Sequence, residues 1–135
     1  MPIGAATHLS LTDQLNPPQT EAVYYGEGPL LVFAGAGSGK TRVITYRIAH
    51  LIAECGVWPS RIWAVTFTNK AASEMRQRIE RLVGPERVPY QVGTFHASCA
   101  RWLRRYADRL GIRRDFTIYD DSDQRALVQR VVREM

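Results

Sequence analysis

The stretch AGAGSGKT, residues 34–41, combines glycines with a lysine and a threonine in a pattern typical of phosphate binding. Glycines allow backbone N–H groups to curl around phosphate oxygens, and a helix predicted to begin at Lys40 adds the positive end of its dipole. We expect Lys40 to reach the β- and γ-phosphates and Thr41 to ligate magnesium, so both are candidate catalytic residues. The alternative is a glycine-rich turn without a ligand. The predicted phosphate-binding residues are Ala34, Gly35, Ala36, Gly37, Ser38, Gly39, Lys40 and Thr41.

A phosphate cradle does not select a base, and Gln19 is the candidate adenine reader. A glutamine amide can donate to and accept from the N6 and N7 edge of adenine at once. The alternative is that Gln19 is a surface residue on a short helix. Lys40 and Lys70 are the only lysines in the chain, and a compact ammonium suits a phosphate cradle better than a guanidinium does.

A second set of side chains follows the next two predicted strands. Thr66, Phe67 and Asn69 lie in TFTNKAA, and Thr94 and His96 lie in GTFHA. The sheets of α/β proteins bind ligands at the carboxyl ends of their strands, where a ring can stack on a base while hydroxyls and amides hold phosphates. The alternative is that Phe67 completes the core, that its polar neighbours cap a helix, and that His96 is a capping or packing residue.

The segment FTIYDD, residues 116–121, resembles the acidic strand that holds magnesium in nucleotide hydrolases. Its residues alternate in polarity and run directly into a predicted helix. We interpret Asp121 as the N-cap of that helix, with Gln124 completing a capping box. Asp120 and Asp121 are therefore predicted to be structural.

The apolar periodicity predicts strands over 29–34, 61–67 and 90–94, which alternate with helices over 41–55, 69–83 and 95–110. A short helix after Pro17 and a last helix from residue 121 complete the pattern. This alternation indicates a parallel sheet with helices on its faces, so the predicted fold class is α/β. The last helix has an apolar face that no later element covers. The apolar faces predicted to be buried are Ile44, Ile48, Leu51, Ile52 and Cys55 on the first long helix, and Phe95, Cys99, Trp102, Leu103, Tyr106 and Leu110 on the third.

The charge balance of the 135 residues favours an anionic partner, since 18 Lys and Arg face 13 Asp and Glu. Nucleic acid is the leading candidate and a membrane surface is second. The sequence shows neither a signal peptide nor an apolar run of membrane-spanning length, so we expect a cytoplasmic protein. Cys55 and Cys99 lack disulfide or metal-ligand spacing and are predicted to be buried free thiols. Residues 1–14 are predicted to be a loose arm.

Four ordered segments together resemble the superfamily 1 DNA helicases of the UvrD, Rep and PcrA type. LNPPQTEAV resembles the Q motif, AGAGSGKTRVI motif I, AVTFTNKAASEMRQRI motif Ia and VGTFHASCARWLRRY motif Ib. The resemblance implies a RecA-like P-loop NTPase fold and ATP- and Mg²⁺-dependent translocation along single-stranded DNA in the 3′-to-5′ sense, with unwinding at duplex junctions. It implies adenine recognition by Gln19 and nucleotide contact by Arg42. It also implies contacts to the DNA strand from Thr66, Phe67, Asn69, Thr94 and His96.

The resemblance also implies a domain organisation. Residues 15–115 correspond to the first part of the RecA-like ATP-binding domain and residues 116–135 to the start of an inserted helical subdomain, which supports a structural role for Asp120 and Asp121. The family's Walker B strand, arginine fingers and second RecA-like domain have no counterpart in the sequence. The expected partner is therefore the remainder of a helicase, without which we expect ATP binding but neither hydrolysis nor unwinding. A non-hydrolysing DNA-binding module and a small P-loop kinase are the alternatives.

Overall fold

The computed structural model describes residues 14–135, and the chain divides into two compact units between Phe95 and His96. The first unit contains α1 (Pro17–Tyr24), α2 (Lys40–Ala53), β1 (Trp63–Thr66), α3 (Asn69–Val83) and β2 (Gln91–Thr94). Single 3₁₀ turns occupy Pro59–Arg61 and Pro85–Arg87. α4 (Phe95–Arg105) begins at the last residue of the first unit, and a 3₁₀ turn (Ala107–Leu110) and α5 (Asp121–Glu134) follow it.

The sheet consists of β1 and β2, which pair in parallel from Trp63 opposite Gln91 to Thr66 opposite Thr94. A parallel pair needs a crossover connection, and α3 supplies it. The Thr68 side chain caps α3 by accepting from the Ala71 amide at 3.1 Å. This βαβ unit confirms the predicted mixture of helices and parallel strands, and it brings the carboxyl ends of both strands to one edge.

The core of the first unit lies where α2 and α3 pack on the two strands. Its buried members are Ile48, Ile52, Ile62, Ala64, Met75, Ile79 and Val92. The predicted burial of Ile44 and Cys55 is wrong, since both are exposed. α2 packs on α1 through Val43 and faces the core through Ile48 and Ile52, so its buried surface is not centred on Ile44.

α1 is fixed by its own cap and by α2. The Asn16 side chain accepts from the Gln19 amide at 3.0 Å, and the Gln19 side chain accepts from the Asn16 amide at 3.1 Å, which completes a capping box. At the other end the Arg47 guanidinium donates to four carbonyls at 2.8 to 3.3 Å, those of Ala22, Val23, Tyr25 and Gly26. A cation at a helix C-terminus satisfies carbonyls that have no partner within the helix.

The predicted strand at residues 29–34 is wrong. This segment has no regular secondary structure, and the side chains of Leu31 and Phe33 are 76% and 90% exposed. Its apolar composition indicated a strand, but a strand forms only where a neighbouring strand supplies hydrogen bonds, and no described strand pairs with these residues.

The large apolar side chains of α4, of the turn after it and of α5 are mostly exposed, whereas the small Ala107 is buried. The predicted buried face of α4 and the following turn is wrong, because Phe95, Cys99, Trp102, Leu103, Tyr106 and Leu110 are all exposed. No residue of α5 is buried, as its uncovered apolar face predicted. Arginines lie over aromatic rings here, with Arg104 5.2 Å from the ring centre of Phe116 and Arg109 5.5 Å from that of Tyr106.

The predicted cap of α5 is displaced by one residue. Asp120, not Asp121, is the N-cap, and Asp123, not Gln124, completes the capping box. The Asp120 carboxylate accepts from the backbone amides of Ser122 at 2.8 Å and Asp123 at 2.9 Å. Residues 116–120 are not a strand, in agreement with a structural role for this aspartate.

The predicted loose arm lies outside the described residues except for Gln14. The Gln14 side chain accepts from the Tyr46 hydroxyl at 2.7 Å, which ties this residue to α2. The predicted boundary between residues 115 and 116 stays a prediction. Among residues 14–135, no helix combines the length and the apolar character that a membrane crossing requires.

Candidate nucleotide and single-strand sites

The loop before α2 closes on itself. The amide of Ser38 donates to the Gly35 carbonyl at 3.3 Å, and the Ser38 hydroxyl donates to the same carbonyl at 2.6 Å. Gly37 and Gly39 have φ angles of +75° and +85°, which residues other than glycine rarely adopt. A Cβ atom added at Gly39 would also lie 2.7 Å from Gln19 Nε2. Position 39 therefore favours glycine for its backbone, and a Cβ there would displace the end of the flexible Gln19 side chain.

The N-terminus of α2 is arranged to attract an anion. Gly39 is its N-cap, no side chain caps its first amides, and its first turn carries no acidic residue. The Lys40 ammonium donates to the carbonyls of Ala34 and Gly35, at 2.7 Å each. Lys40 is thus folded back over the loop, and the half-buried Thr41 follows it in the first turn. A helix N-terminus and a lysine directed at one loop form an anion-binding arrangement.

The structure brings Gln19 to this loop. Its Nε2 donates to the Ser38 carbonyl at 2.9 Å, while its Oε1 accepts from the Asn16 amide. Both ends of the amide are therefore used within the protein. The contact joins α1 to the loop across 19 residues of sequence.

A cleft of about 390 Å³ opens at the N-terminus of α2. It is lined by residues 37–42, all of them predicted to bind the nucleotide, together with Gln19 and Arg78. Ala34 and Gly35 line a neighbouring cleft of about 320 Å³, and Ala36 lies in neither. The Arg42 guanidinium donates to the Gln14 carbonyl at 3.1 Å.

Arg78 is the residue of this cleft that sequence reasoning missed. It lies on α3, three residues after the buried Met75. Helical periodicity places it beside the buried face of α3. Nothing in the sequence indicates that this side of α3 faces the loop, so only the packing of α3 on α2 reveals its position.

The residues of the cleft fit a magnesium-bound nucleoside triphosphate. Backbone amides, an ammonium and two guanidinium groups suit the charge of the phosphates. Thr41 offers one hydroxyl. This is consistent with the coordination of Mg²⁺ in nucleotide sites, where few ligands come from the protein and the other ligands come from phosphates and water. In the described part of the chain, no group of three or more His, Cys, Asp or Glu side chains could hold a metal ion by itself.

The predicted DNA contacts of the first unit meet at the carboxyl edge of the sheet. Thr66 and Thr94 are paired across the two strands, and Phe67 and Phe95 come directly after them. The rings of Phe67 and Phe95 have centroids 5.5 Å apart, and the residues are 87% and 42% exposed. Asn69 is exposed at the first position of α3. Phe67 does not complete the core, which was the alternative to a stacking role.

The remaining predicted contact, His96, is exposed on α4 and belongs to the second unit.

Hydrogen bonds to the Asp123 amide, then to Ser122, hold the pKa of Asp120 below its usual range. This carboxylate is therefore satisfied by its own helix cap.

The pattern that defines the UvrD/REP helicase N-terminal domain matches residues 15–135. The ATP-dependent DNA helicase PcrA of Staphylococcus epidermidis (strain RP62A) is 54% identical over 124 residues, which are 92% of this chain and 17% of that protein. The protein of the same name from Staphylococcus aureus (strain Mu50) is 52% identical over the same shares. The chain thus spans 17% of the length of the curated relatives that it matches.

Proposed function

The chain belongs to the UvrD/Rep helicase family, and on that premise we propose that it is the N-terminal part of an ATP-dependent 3′-to-5′ DNA helicase with a RecA-like P-loop fold. In this proposal the loop at residues 34–41 binds ATP, and the carboxyl edge of the sheet binds single-stranded DNA. The arrangement that carries the proposal is the convergence of Lys40, the uncapped N-terminus of α2 and Gln19 on one cleft.

The phosphates are proposed to take over the hydrogen bonds that Lys40 makes to the loop. Its ammonium donates to two backbone carbonyls at 2.7 Å, and negatively charged phosphate oxygens are stronger acceptors than these neutral groups. The first amides of α2 donate to the same oxygens. Thr41 would hold Mg²⁺ through its hydroxyl, and the ion would supply positive charge that neutralises the phosphates.

Gln19 is proposed to read adenine with the hydrogen-bonding capacity that its loop contacts leave unused. Its Nε2 would donate its second hydrogen to N7 while it keeps the Ser38 carbonyl, and its Oε1 would accept from the N6 amino group with its second lone pair, beside the Asn16 amide. Guanine carries an acceptor where adenine carries this donor, so it cannot satisfy Oε1. These two contacts make base recognition selective and require Gln19 to stay at the loop.

The exposed ring of Phe67 is proposed to stack on a base of single-stranded DNA, beside Phe95. Stacking on an aromatic side chain tolerates any base, which suits a protein that moves along DNA. Thr66, Thr94 and Asn69 are proposed to contact the backbone, and His96 is proposed as a further contact. The net positive charge of the chain supports an anionic polymer as ligand.

Hydrolysis, unwinding and recognition of duplex junctions are proposed to need the remainder of a helicase as partner. The cytoplasm is proposed as the place where the chain meets DNA. Magnesium-dependent phosphoryl transfer in P-loop enzymes uses an acidic residue and a positive group at the γ-phosphate. Asp120, the nearest candidate by sequence, caps α5 instead. We therefore expect the 135-residue chain to bind ATP without turnover.

The test compares the two lysines as binding partners of a fluorescent ATP analogue with Mg²⁺. Lys40→Ala should weaken binding at least about tenfold, because it removes a charge-assisted contact to phosphate. Lys70→Ala is the matched control, since Lys70 is an exposed lysine on α3 and should leave binding unchanged. Equal losses would exclude the loop as the phosphate site.

A steady-state ATPase assay with and without single-stranded DNA tests the second half of the proposal. We expect no turnover in either condition. DNA-stimulated turnover that Asp120→Ala abolishes would show that this aspartate is catalytic and that the chain is a complete motor.

A further inference from the structure

Three side chains at the end of α2 form a nucleophile, base and carboxylate in series. Cys55 Sγ lies 3.3 Å from His50 Nε2, and His50 Nδ1 lies 2.9 Å from a Glu54 carboxylate oxygen. A nucleophile within hydrogen-bond reach of a base, with the base oriented by a third group, is the arrangement that activates cysteine and serine nucleophiles. These three residues, His50, Glu54 and Cys55, are called the Cys55 cluster below.

The backbone holds the Cys55 cluster in place. The amides of both Glu54 and Cys55 donate to the His50 carbonyl, at 2.9 and 3.1 Å, which turns the chain back over the last turn of α2. Gly56 follows with φ +66°, and the Val57 amide donates to the Leu51 carbonyl at 2.8 Å. This glycine-based helix termination fixes Cys55 next to the imidazole.

The direction of the hydrogen bonds follows from the carboxylate. An ionised carboxylate only accepts, so in the neutral tautomer whose Nδ1–H donates to Glu54 the lone pair of His50 Nε2 faces the thiol. In that tautomer the S–H of Cys55 donates to Nε2. This assignment makes His50 the acceptor for the thiol proton.

The imidazole is held on a second side by α1. The ring of Tyr24 packs against it with centroids 4.5 Å apart, and the His50 side chain is 13% exposed. Burial, and then the charge of Glu54, raise the pKa of Tyr24 above its usual range, so the Glu54 carboxylate lies close enough to affect Tyr24 as well as His50. Cys55 itself is exposed and accessible to reagents.

We propose that Cys55 is a nucleophilic thiol and a site of covalent modification by soft electrophiles, with His50 as its base and Glu54 as the residue that positions His50. With an alkyl iodide, the Sγ–C bond forms, the C–I bond breaks and iodide leaves, while the thiol proton passes to His50 Nε2. The thiolate is the reacting form of cysteine, so a base in contact with the thiol raises the rate. The proposal concerns the opposite end of α2 from the phosphate loop and is independent of ATP and DNA binding.

The chain contains its own reference thiol. Cys99 is exposed as well, and within residues 14–135 its thiol has no base comparable to His50 in hydrogen-bond contact. The experiment treats the full chain with limiting iodoacetamide near pH 7 and follows both cysteines by peptide mass spectrometry. Cys55 should react about three- to tenfold faster than Cys99, and in urea the two rates should become equal.

Two variants test the roles of the partners. His50→Gln should bring the ratio of the Cys55 rate to the Cys99 rate close to one, and Glu54→Gln should lower it to an intermediate value. A ratio of one in the chain without substitutions, or a high ratio that persists in His50→Gln, overturns the proposal. The measurement on the unmodified chain decides the matter even where a variant fails to fold, which far-ultraviolet circular dichroism reports.

Discussion

Replacement of Gly39 by alanine should weaken ATP binding through two separable costs. Gly39 has φ +85°, and the left-handed region costs an L-residue about 1–2 kcal/mol. The new Cβ would lie 2.7 Å from Gln19 Nε2, so the Gln19 amide must move and lose its 2.9 Å bond to the Ser38 carbonyl. Such a bond contributes about 1 kcal/mol, which brings the total to about 2–3 kcal/mol.

This energy appears as lost affinity because ATP binds the native form of the loop. A binding-competent conformation that is populated less lowers the apparent affinity in proportion. A cost of about 2–3 kcal/mol corresponds to a roughly 30- to 150-fold higher dissociation constant for the fluorescent ATP analogue. Gly26→Ala is the control, because an added Cβ there has no atom within 4 Å and Gly26 is not among the glycines with positive φ.

A double-mutant cycle separates the two costs. In a Gln19→Ala background the side chain that meets the new Cβ is absent, so Gly39→Ala should cost only its backbone strain. The coupling energy between the two positions should be about 1 kcal/mol. Zero coupling would refute the link between Gln19 and the loop, and a Gly39→Ala variant that binds like Gly26→Ala would refute the whole argument.

Three further predictions concern other parts of the chain. Phe67→Ala should cost about 1–3 kcal/mol of single-stranded DNA affinity with an unchanged salt dependence. Phe33→Ala is the control, because it removes an equally exposed ring outside the sheet edge and should leave the DNA affinity unaltered. Arg47→Met should lower stability to urea by about 1–3 kcal/mol, since four carbonyls at the end of α1 lose a charged donor, and a midpoint equal to that of the unmodified chain contradicts this. The lowered pKa of Asp120 means that its cap stabilises α5 above the ordinary carboxyl pKa and loses this effect as pH falls through the lowered value. The protection of the Asp123 amide, which is the exchange rate of an unfolded chain at the same pH divided by the rate of this amide, should therefore fall in acid, and less so in Asp120→Asn.

The sequence predicted those elements whose signals are local. The boundaries of α2 and α3 follow from apolar periodicity, from Gly39 and Thr68 before them and from Gly56 and Gly84 after them. The pairing of β1 and β2 follows from the helix between them, because a parallel crossover needs one. The residues that line the cleft could likewise be named in advance, since 37–42 are contiguous and the chemistry of their types is specific.

The predictions that failed depended on partners distant in sequence. The segment 29–34 is apolar enough for a strand, yet no described strand pairs with it. The apolar face of α4 has the right period, yet its side chains are exposed. The position of Arg78 in the cleft and the contact of Gln19 with Ser38 could not be predicted for the same reason. A motif gives the type of a residue but not which face of its helix packs against the rest of the protein.

The two ends of α1 explain how a short helix could carry the proposed base recognition. Eight residues form too few internal hydrogen bonds to be stable as an isolated helix, so tertiary contacts must hold α1. Arg47 supplies them at the C-terminus through four carbonyls, and the Gln19 bond to Ser38 supplies one near the N-terminus. The first anchor lies on α2 and the second on the loop that precedes α2. Movement of the loop toward phosphates would therefore either break the Gln19 contact or pull on a helix that Arg47 holds in place, and this coupling would let the proposed site sense both the phosphates and the base.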